Sequence, residues 1–130
     1  MRRARLLALF LDVLLCAVPA DLAGLLLTGL TWRFLPALRG AIPGIWVLAG
    51  AAATVAFLLR DARGGRARRW LDLEARRADG RAPGPLASVR RNLPLLVPVW
   101  NLYDAWPMLR RPDAERRTDR RTGIRIVREA

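Results

Sequence analysis

Apolar residues gather along this chain into three blocks, and the charged residues crowd the stretches between and after them. Residues 6–30 carry only Asp12 and Asp21 as charges. At a rise of roughly 1.5 Å per residue, a helix of that length crosses a hydrocarbon layer of about 30 Å with some tilt. Residues 41–59 form a second such block, interrupted early by Pro43 and Gly44 and closed by Arg60 and Asp61. Residues 93–109 are apolar too, but Pro94, Pro98 and Pro107 break the helical pattern, and Asn101 and Asp104 put polar groups inside it. The pattern predicts an all-α membrane protein with two transmembrane helices, about 6–30 and 41–59. To these it adds a third, broken apolar segment, 93–109, that is re-entrant, interfacial or spanning.

The basic residues Arg2, Arg3 and Arg5 ahead of the first apolar block, with the small residues Ala17-Val18-Pro19-Ala20, imitate a secretory signal with its cleavage region. Asp12 in mid-run is foreign to such a signal, and apolar sequence resumes at once with residues 22–30, so a retained span is the better reading. Cys16 follows Leu15 rather than a small residue, which does not suit a lipoprotein signal.

Shorter patterns lie in the polar stretches. Leu71-Asp72-Leu73-Glu74-Ala75-Arg76 alternates apolar and charged residues, as a half-buried strand does, and Ala78-Asp79-Gly80 supplies a turn. Ile124-Arg125-Ile126 alternates in the same way. Neither is long enough to be stable alone, so residues 71–76 and 123–128 are expected to pair as a small cytoplasmic two-stranded element.

Charge orients the chain. All 23 basic residues are arginines; residues 60–92 hold ten against four acids, residues 110–130 hold eight against four, and residues 31–40 hold only Arg33 and Arg39. The positive-inside rule puts the N-terminus and the basic loop 60–92 in the cytoplasm of a multi-pass protein of the cell membrane. Residues 31–40 then form a short external loop, with Trp32 and Phe34 in an interfacial belt. A plain third crossing would export the basic tail 110–130, so a hairpin in 93–109 that returns to the cytoplasm is expected, its irregular backbone shielded by protein.

The net charge of +12 raises nucleic acid as a partner. Two long apolar spans leave no soluble core for the arginines to decorate, so anionic lipid headgroups are the expected partners and nucleic acid is not. With no histidine and one cysteine, internal disulfides, structural zinc and histidine-based acid–base chemistry are excluded, and no cofactor is expected. Cys16 lies in the first apolar block, where a thiol is a small packing residue. No nucleophile–base pair suggests an enzyme.

Asp12 is the residue that stands out. Arg5, seven positions earlier, shares its helix face to within about 20° but lies roughly 10 Å away along the axis, and is expected to snorkel to headgroups. A lone carboxylate at depth costs about 2.5–3.5 kcal/mol, so another segment should answer it. The ridge Ala8, Asp12, Cys16, Ala20, Gly24, Thr28 is small or polar throughout, and Ala49, Gly50, Ala52, Ala53, Thr54 and Ala56 offer a matching surface for close packing. Antiparallel alignment puts Asp12 near Ala53 and Thr54. Asp12 then either hydrogen-bonds across the helix pair or forms, with Thr54, Asn101 and Asp104, an ion or ligand site.

Residues 5–12, Arg-Leu-Leu-Ala-Leu-Phe-Leu-Asp, resemble the opening of the RDD family of bacterial membrane proteins, named for one arginine and two aspartates. Leu71 to Gly80 resembles that family's short strand before an Asp-Gly turn, and Ser88-Val-Arg-Arg-Asn92 its lead into the last apolar segment. Asn101-Leu-Tyr-Asp104 and Arg117-Thr-Asp119-Arg-Arg-Thr-Gly123 resemble its closing pattern, so the resemblance covers nearly the whole chain. It departs at Gly65-Arg66-Ala67-Arg68, where the family has Gly-Lys or similar, and at Ile124, where it has threonine. The resemblance implies Arg5, Asp12 and Asp119 as the name-giving trio, with Asp61 as another candidate for the third place; Arg91, Asn92, Arg117 and Gly123 are secondary motif positions. It implies transport, with cation/proton antiport suggested for some members. Two or three helices cannot enclose a pathway, so a transporter of this size would be a homo-oligomer or join a partner membrane protein. The other role open to such a chain is a non-transporting adaptor that holds anionic lipid or a partner protein through its arginines.

Overall fold

The computed structural model describes residues 2–111 and 115–128. The chain divides into two compact units, one formed by Val13–Phe57 and the other by residues up to Asp12 together with those from Leu58 onward.

Helix α1 (Arg2–Phe34) enters the first unit at Val13, and α2 (Ile42–Leu58) leaves it at Phe57. The helical stretches Arg3–Phe34 and Pro36–Leu58, the second being α2 with the turn before it, are long and apolar enough to cross a membrane. α1 extends beyond the expected residues 6–30 because nothing stops it before Leu35, whose conformation (φ −128°, ψ 60°) is set by the following Pro36, which disfavours a helical predecessor. The expected loop is therefore largely structured: its first residues belong to α1, and Pro36–Ala41 form a 3-10 turn. Pro43 does not interrupt α2, because it falls in the first turn, where the missing N–H has no helical partner to lose.

The shielded stripe of α1 is the small ridge expected from the sequence, with Gly24 buried and Cys16, Ala20 and Thr28 half-buried. The aromatic ring of Trp46 from α2 lies over Gly24, where an added Cβ would sit 3.3 Å from it. On α2 Phe57 is buried and Ile42, Ile45, Ala49, Ala53, Ala56 and Leu58 are half-buried, whereas Gly50, Ala52 and Thr54 are exposed. The small surface expected there is thus displaced by one helix face at those three positions.

The second unit is built on two short strands. β1 (Leu73–Arg77) and β2 (Ile124–Arg128) pair antiparallel, with Ala75 opposite Ile126 and Arg77 opposite Ile124. Leu73, Ala75 and Ile124 are buried, so the inner face follows from the alternation, one or two residues later than expected in the first strand. Outward, Arg76 opposes Arg125, a like-charge pair relieved by neighbours: Arg76 bonds Glu74 at 2.7 Å and Arg125 pairs with Glu115 at 3.1 Å. Within the expected loop 60–92 the chain also forms α3 (Arg66–Arg69) and α4 (Pro85–Asn92). Within the expected tail it forms α6 (Arg117–Thr122), closed by Gly123 in the left-handed region, φ 64°.

The third apolar segment is broken as expected. A 3-10 turn, Leu93–Leu96, gives way at the extended Val97 to α5 (Pro98–Arg110), because Pro98 excludes its predecessor from the helix. Thirteen residues reach only about 20 Å, short of a bilayer core. α5 is also inverted: Asp104 is buried and Asn101 half-buried, while Val99, Leu102, Tyr103, Trp106 and Leu109 are exposed.

The Trp46–Gly24 contact yields a test. Gly24→Leu should destabilise the protein in neutral detergent by about 1–3 kcal/mol through overpacking. Gly29→Leu, at a position with nothing within 4 Å, should leave the melting temperature unchanged or raise it. Equal melting temperatures for the two variants would refute the contact.

Candidate functional site

The site begins where α2 stops. Gly64 and Gly65 take φ values of 76° and 40°, which side chains resist, and the Gly65 N–H donates to the Arg60 carbonyl at 2.8 Å. This reversal returns the chain upon itself, so that Arg68 of α3 pairs with Asp61. Asp61, 1% exposed, also accepts Arg91 Nη1 at 2.8 Å and Asn92 Nδ2 at 3.0 Å, with Arg60 Nε 4.0 Å away.

Helix α4 delivers three of the partners from one face. Ser88 donates its hydroxyl to the Leu58 carbonyl at 2.6 Å and accepts the Asp61 N–H at 3.2 Å; Asn92 also donates to the Leu58 carbonyl, at 3.2 Å. These bonds satisfy a carbonyl that the end of α2 leaves without a helical donor. Arg91 reaches both ways, giving Nε and Nη2 to the two oxygens of Asp119 at 2.6 and 3.2 Å while Nη1 holds Asp61. A planar guanidinium can do this and an ammonium cannot.

Asp12 closes the other end. Its carboxylate lies 3.6 Å from Arg60 Nη1 and 3.8 Å from Arg68 Nε. The result is a buried chain of alternating charge, Asp12, then Arg60 and Arg68, then Asp61, Arg91 and Asp119. Burial opposes the ionisation of Asp61, but the guanidiniums of Arg91, Arg68 and Arg60 outweigh it and hold its carboxyl well below the usual carboxylate range. Burial likewise opposes the charge on Arg91, and the carboxylates of Asp61 and Asp119 overcome it, raising its pKa. Arg60 is pulled down to about 9 by burial and by the neighbouring Arg68. At neutral pH Asp61, Arg91 and Arg60 are therefore charged.

A second set of bonds orients Asp119. The N-cap of α6, Arg116, supplies no side-chain cap; instead Asp104 of α5 accepts both the backbone N–H and the hydroxyl of Thr118, at 2.6 and 2.7 Å, and pairs with Arg116. Asp104 thereby caps α6 from a different helix, and the next residue, Asp119, faces Arg91.

Beside this network lies a cavity of about 240 Å³. Arg5, Arg60, Arg68, Arg91, Arg116 and Asp119 contribute its charged wall, Asn101 is also on it, and Leu9, Leu95, Met108 and Ile126 belong to its apolar remainder.

The sequence-derived candidates divide accordingly. Asp12, Asp61, Arg91, Asn92 and Asp119 meet in one cluster. Arg5 does not extend to headgroups: it gives Nη2 to the Ile126 carbonyl at 3.1 Å, inside the second unit. Asp12 is answered by arginines that follow α2, and Thr54 is exposed and gives its hydroxyl to the Gly50 carbonyl at 2.8 Å, so the expected pairing of these two is replaced. Asn101 lines the cavity, and Asp104 works at α6. Arg117 stacks on Tyr103, 4.3 Å from the ring centre, and donates to its hydroxyl at 3.0 Å. Gly123 has a conformational task. Sequence reasoning missed Arg60, Arg68, Ser88, Arg116 and Thr118. The Arg60-Asp61 pair at the end of the second apolar block was the available signal, read there only as a boundary.

Among the described residues, no three His, Cys, Asp or Glu side chains converge as metal ligands; the cluster's carboxylates are each separated by a guanidinium. No family model, no curated protein and no solved structure matches this chain.

Because the folded pKa of Asp61 is depressed, its contribution to stability is present above the unfolded value, about 4, and is lost as pH falls through and below it. Asp61→Asn should therefore cost about 3–5 kcal/mol at neutral pH, where it strands buried arginines. The gap between wild type and variant should narrow as thermal melts in neutral detergent are taken below about pH 4. A gap independent of pH would contradict the assignment.

Proposed function

We propose that the protein is inserted in the cell membrane through α1 and α2, with the N-terminus, residues 60–92 and the tail cytoplasmic, and that its compact second unit is an adaptor holding anionic lipid. The observation that carries this reading is that each buried carboxylate is already answered by arginine: Asp12 by Arg60 and Arg68, Asp61 by Arg68 and Arg91, Asp119 by Arg91, and Asp104 by Arg116. A cation could bind there only by displacing a guanidinium. Many arginines remain outward, among them Arg77, Arg90 and Arg121, which border an open groove beside Trp100.

Helix α5 supports the same reading. Its exposed Trp106 and Tyr103 are covered by Arg110 and Arg117, at 5.0 and 4.3 Å. Aromatic rings beside cationic groups suit the headgroup level of a bilayer, and a short helix with its apolar face outward suits lying in that level rather than crossing it. On this reading the RDD-like trio frames the cytoplasmic unit: Arg5 and Asp119 line the cavity, and Asp12 holds two of its arginines. Cation or proton transport by an oligomer, the other role implied by the resemblance, would need Asp12 released from both arginines.

Protein purified in neutral detergent should retain anionic phospholipid beyond its share in the host membrane, and raised salt should reduce that excess. Proteoliposomes should show no proton or alkali-cation flux above protein-free vesicles; flux abolished by Asp12→Asn would overturn the adaptor reading. Topology has its own check. With Cys16 replaced, Ala130→Cys should resist an impermeant thiol reagent applied to intact cells, and labelling there would refute a cytoplasmic tail.

A further inference from the structure

We infer that the cavity beside the ion-pair cluster is a binding site for the anionic head of a single amphiphile, a phosphate carried on a hydrocarbon chain. The inference rests on the adaptor reading but names one site within it. Five guanidiniums and a single carboxylate, that of Asp119, face the cavity. The carboxylates of Asp12, Asp61 and Asp104, which balance those arginines, pair with them without lining it. An entering group therefore meets donors on the polar side. Arg91 alone has five N–H groups and gives three to Asp119 and Asp61, leaving two among the described residues. The planar fork of arginine matches phosphate oxygens in pairs.

The rest of the wall is hydrocarbon. Leu9 of α1, Leu95, and Met108 and Leu109 of α5 line the cavity along with its arginines. A free inorganic ion gains nothing from those side chains, whereas a chain attached to the phosphate buries against them at roughly 0.8 kcal/mol per methylene. The volume, about 240 Å³, lies just below the usual range of small-molecule pockets. It admits a phosphate and the first carbons of a chain, not an entire phospholipid. α5 exposes its apolar face, so the remainder of a chain has a surface along which to leave.

The test uses the full-length protein in a neutral maltoside detergent, with decyl phosphate, inorganic phosphate and decanol as probes, read by calorimetry and melting temperature. Decyl phosphate should bind saturably and raise the melting temperature with concentration; inorganic phosphate and decanol should each bind at least about tenfold more weakly, lacking one half of the recognition. Two variants avoid the ion pairs themselves. Ala105→Phe fills the cavity and Asn101→Asp places a carboxylate on its wall; each should weaken decyl phosphate by about tenfold or more while leaving the excess of co-purified anionic phospholipid intact. Should Ala105→Phe fail to fold, Asn101→Asp decides alone. Unchanged affinity in Asn101→Asp would overturn the site, and so would inorganic phosphate or decanol matching decyl phosphate. Loss of the phospholipid excess from wild type, with decyl phosphate binding intact, would defeat the adaptor reading and leave the site standing.

Discussion

Burying a carboxylate as completely as Asp61 is costly unless opposite charges and hydrogen-bond donors surround it, and a lone arginine in the same place would cost as much. Here the two problems solve each other. Asp61 takes Arg68, Arg91 and Asn92 as partners, the first from α3 and the other two from the last turn of α4. The tight glycine reversal and the approach of α4 to the Leu58 carbonyl both serve this one group, and α6 joins them through Asp119, which holds Arg91. Removing a partner leaves an unbalanced buried charge, so the elements stand or fall together.

The exclusive use of arginine has a physical reason at this site. Arg91 holds Asp61 with one nitrogen and Asp119 with two others, which needs a rigid planar fork. Arg60 and Arg68 are shared between Asp12 and Asp61 in looser geometry, at 3.6 to 4.0 Å for three of the four contacts. Within the second unit the stretch of α1 up to Asp12 is thereby held electrostatically at Asp12, while the β2 carbonyl of Ile126 holds it at Arg5. Two anchors about two turns apart on one face fix both the position and the rotation of that helical segment.

In α5 a polar group lies inside and apolar groups lie outside, the reverse of a helix on the surface of a soluble domain. Asp104 turns inward to cap α6, and Trp106, Tyr103 and Leu109 turn outward. Such a helix is stable where its outer face meets lipid and its inner face meets bound donors. The cavity wall brings the same arginines together with apolar side chains of α1 and α5.

The sequence by itself determined the long apolar helices, the break before Pro98 and the pairing of the two strands. Each depends on local quantities: hydropathy over a window, the steric demand of proline on its predecessor, and period-two alternation. Asp12 stood out as a charge inside an apolar block, whereas Asp61, Arg91, Asn92 and Asp119 were named only through the resemblance. Which arginine answers which aspartate was decided only by tertiary structure. With 23 arginines in the chain, composition cannot tell the few that are buried from the many that are solvated; the distinction comes from the glycine turn after Asp61 and from the face of α4 that meets the Leu58 carbonyl and Asp61. Thr54 shows the opposite limit. Its residue type suited a buried partner for Asp12, but a serine or threonine on a helix can satisfy its own hydroxyl one turn back, and here it does so, leaving Asp12 to guanidiniums that come from beyond the end of α2.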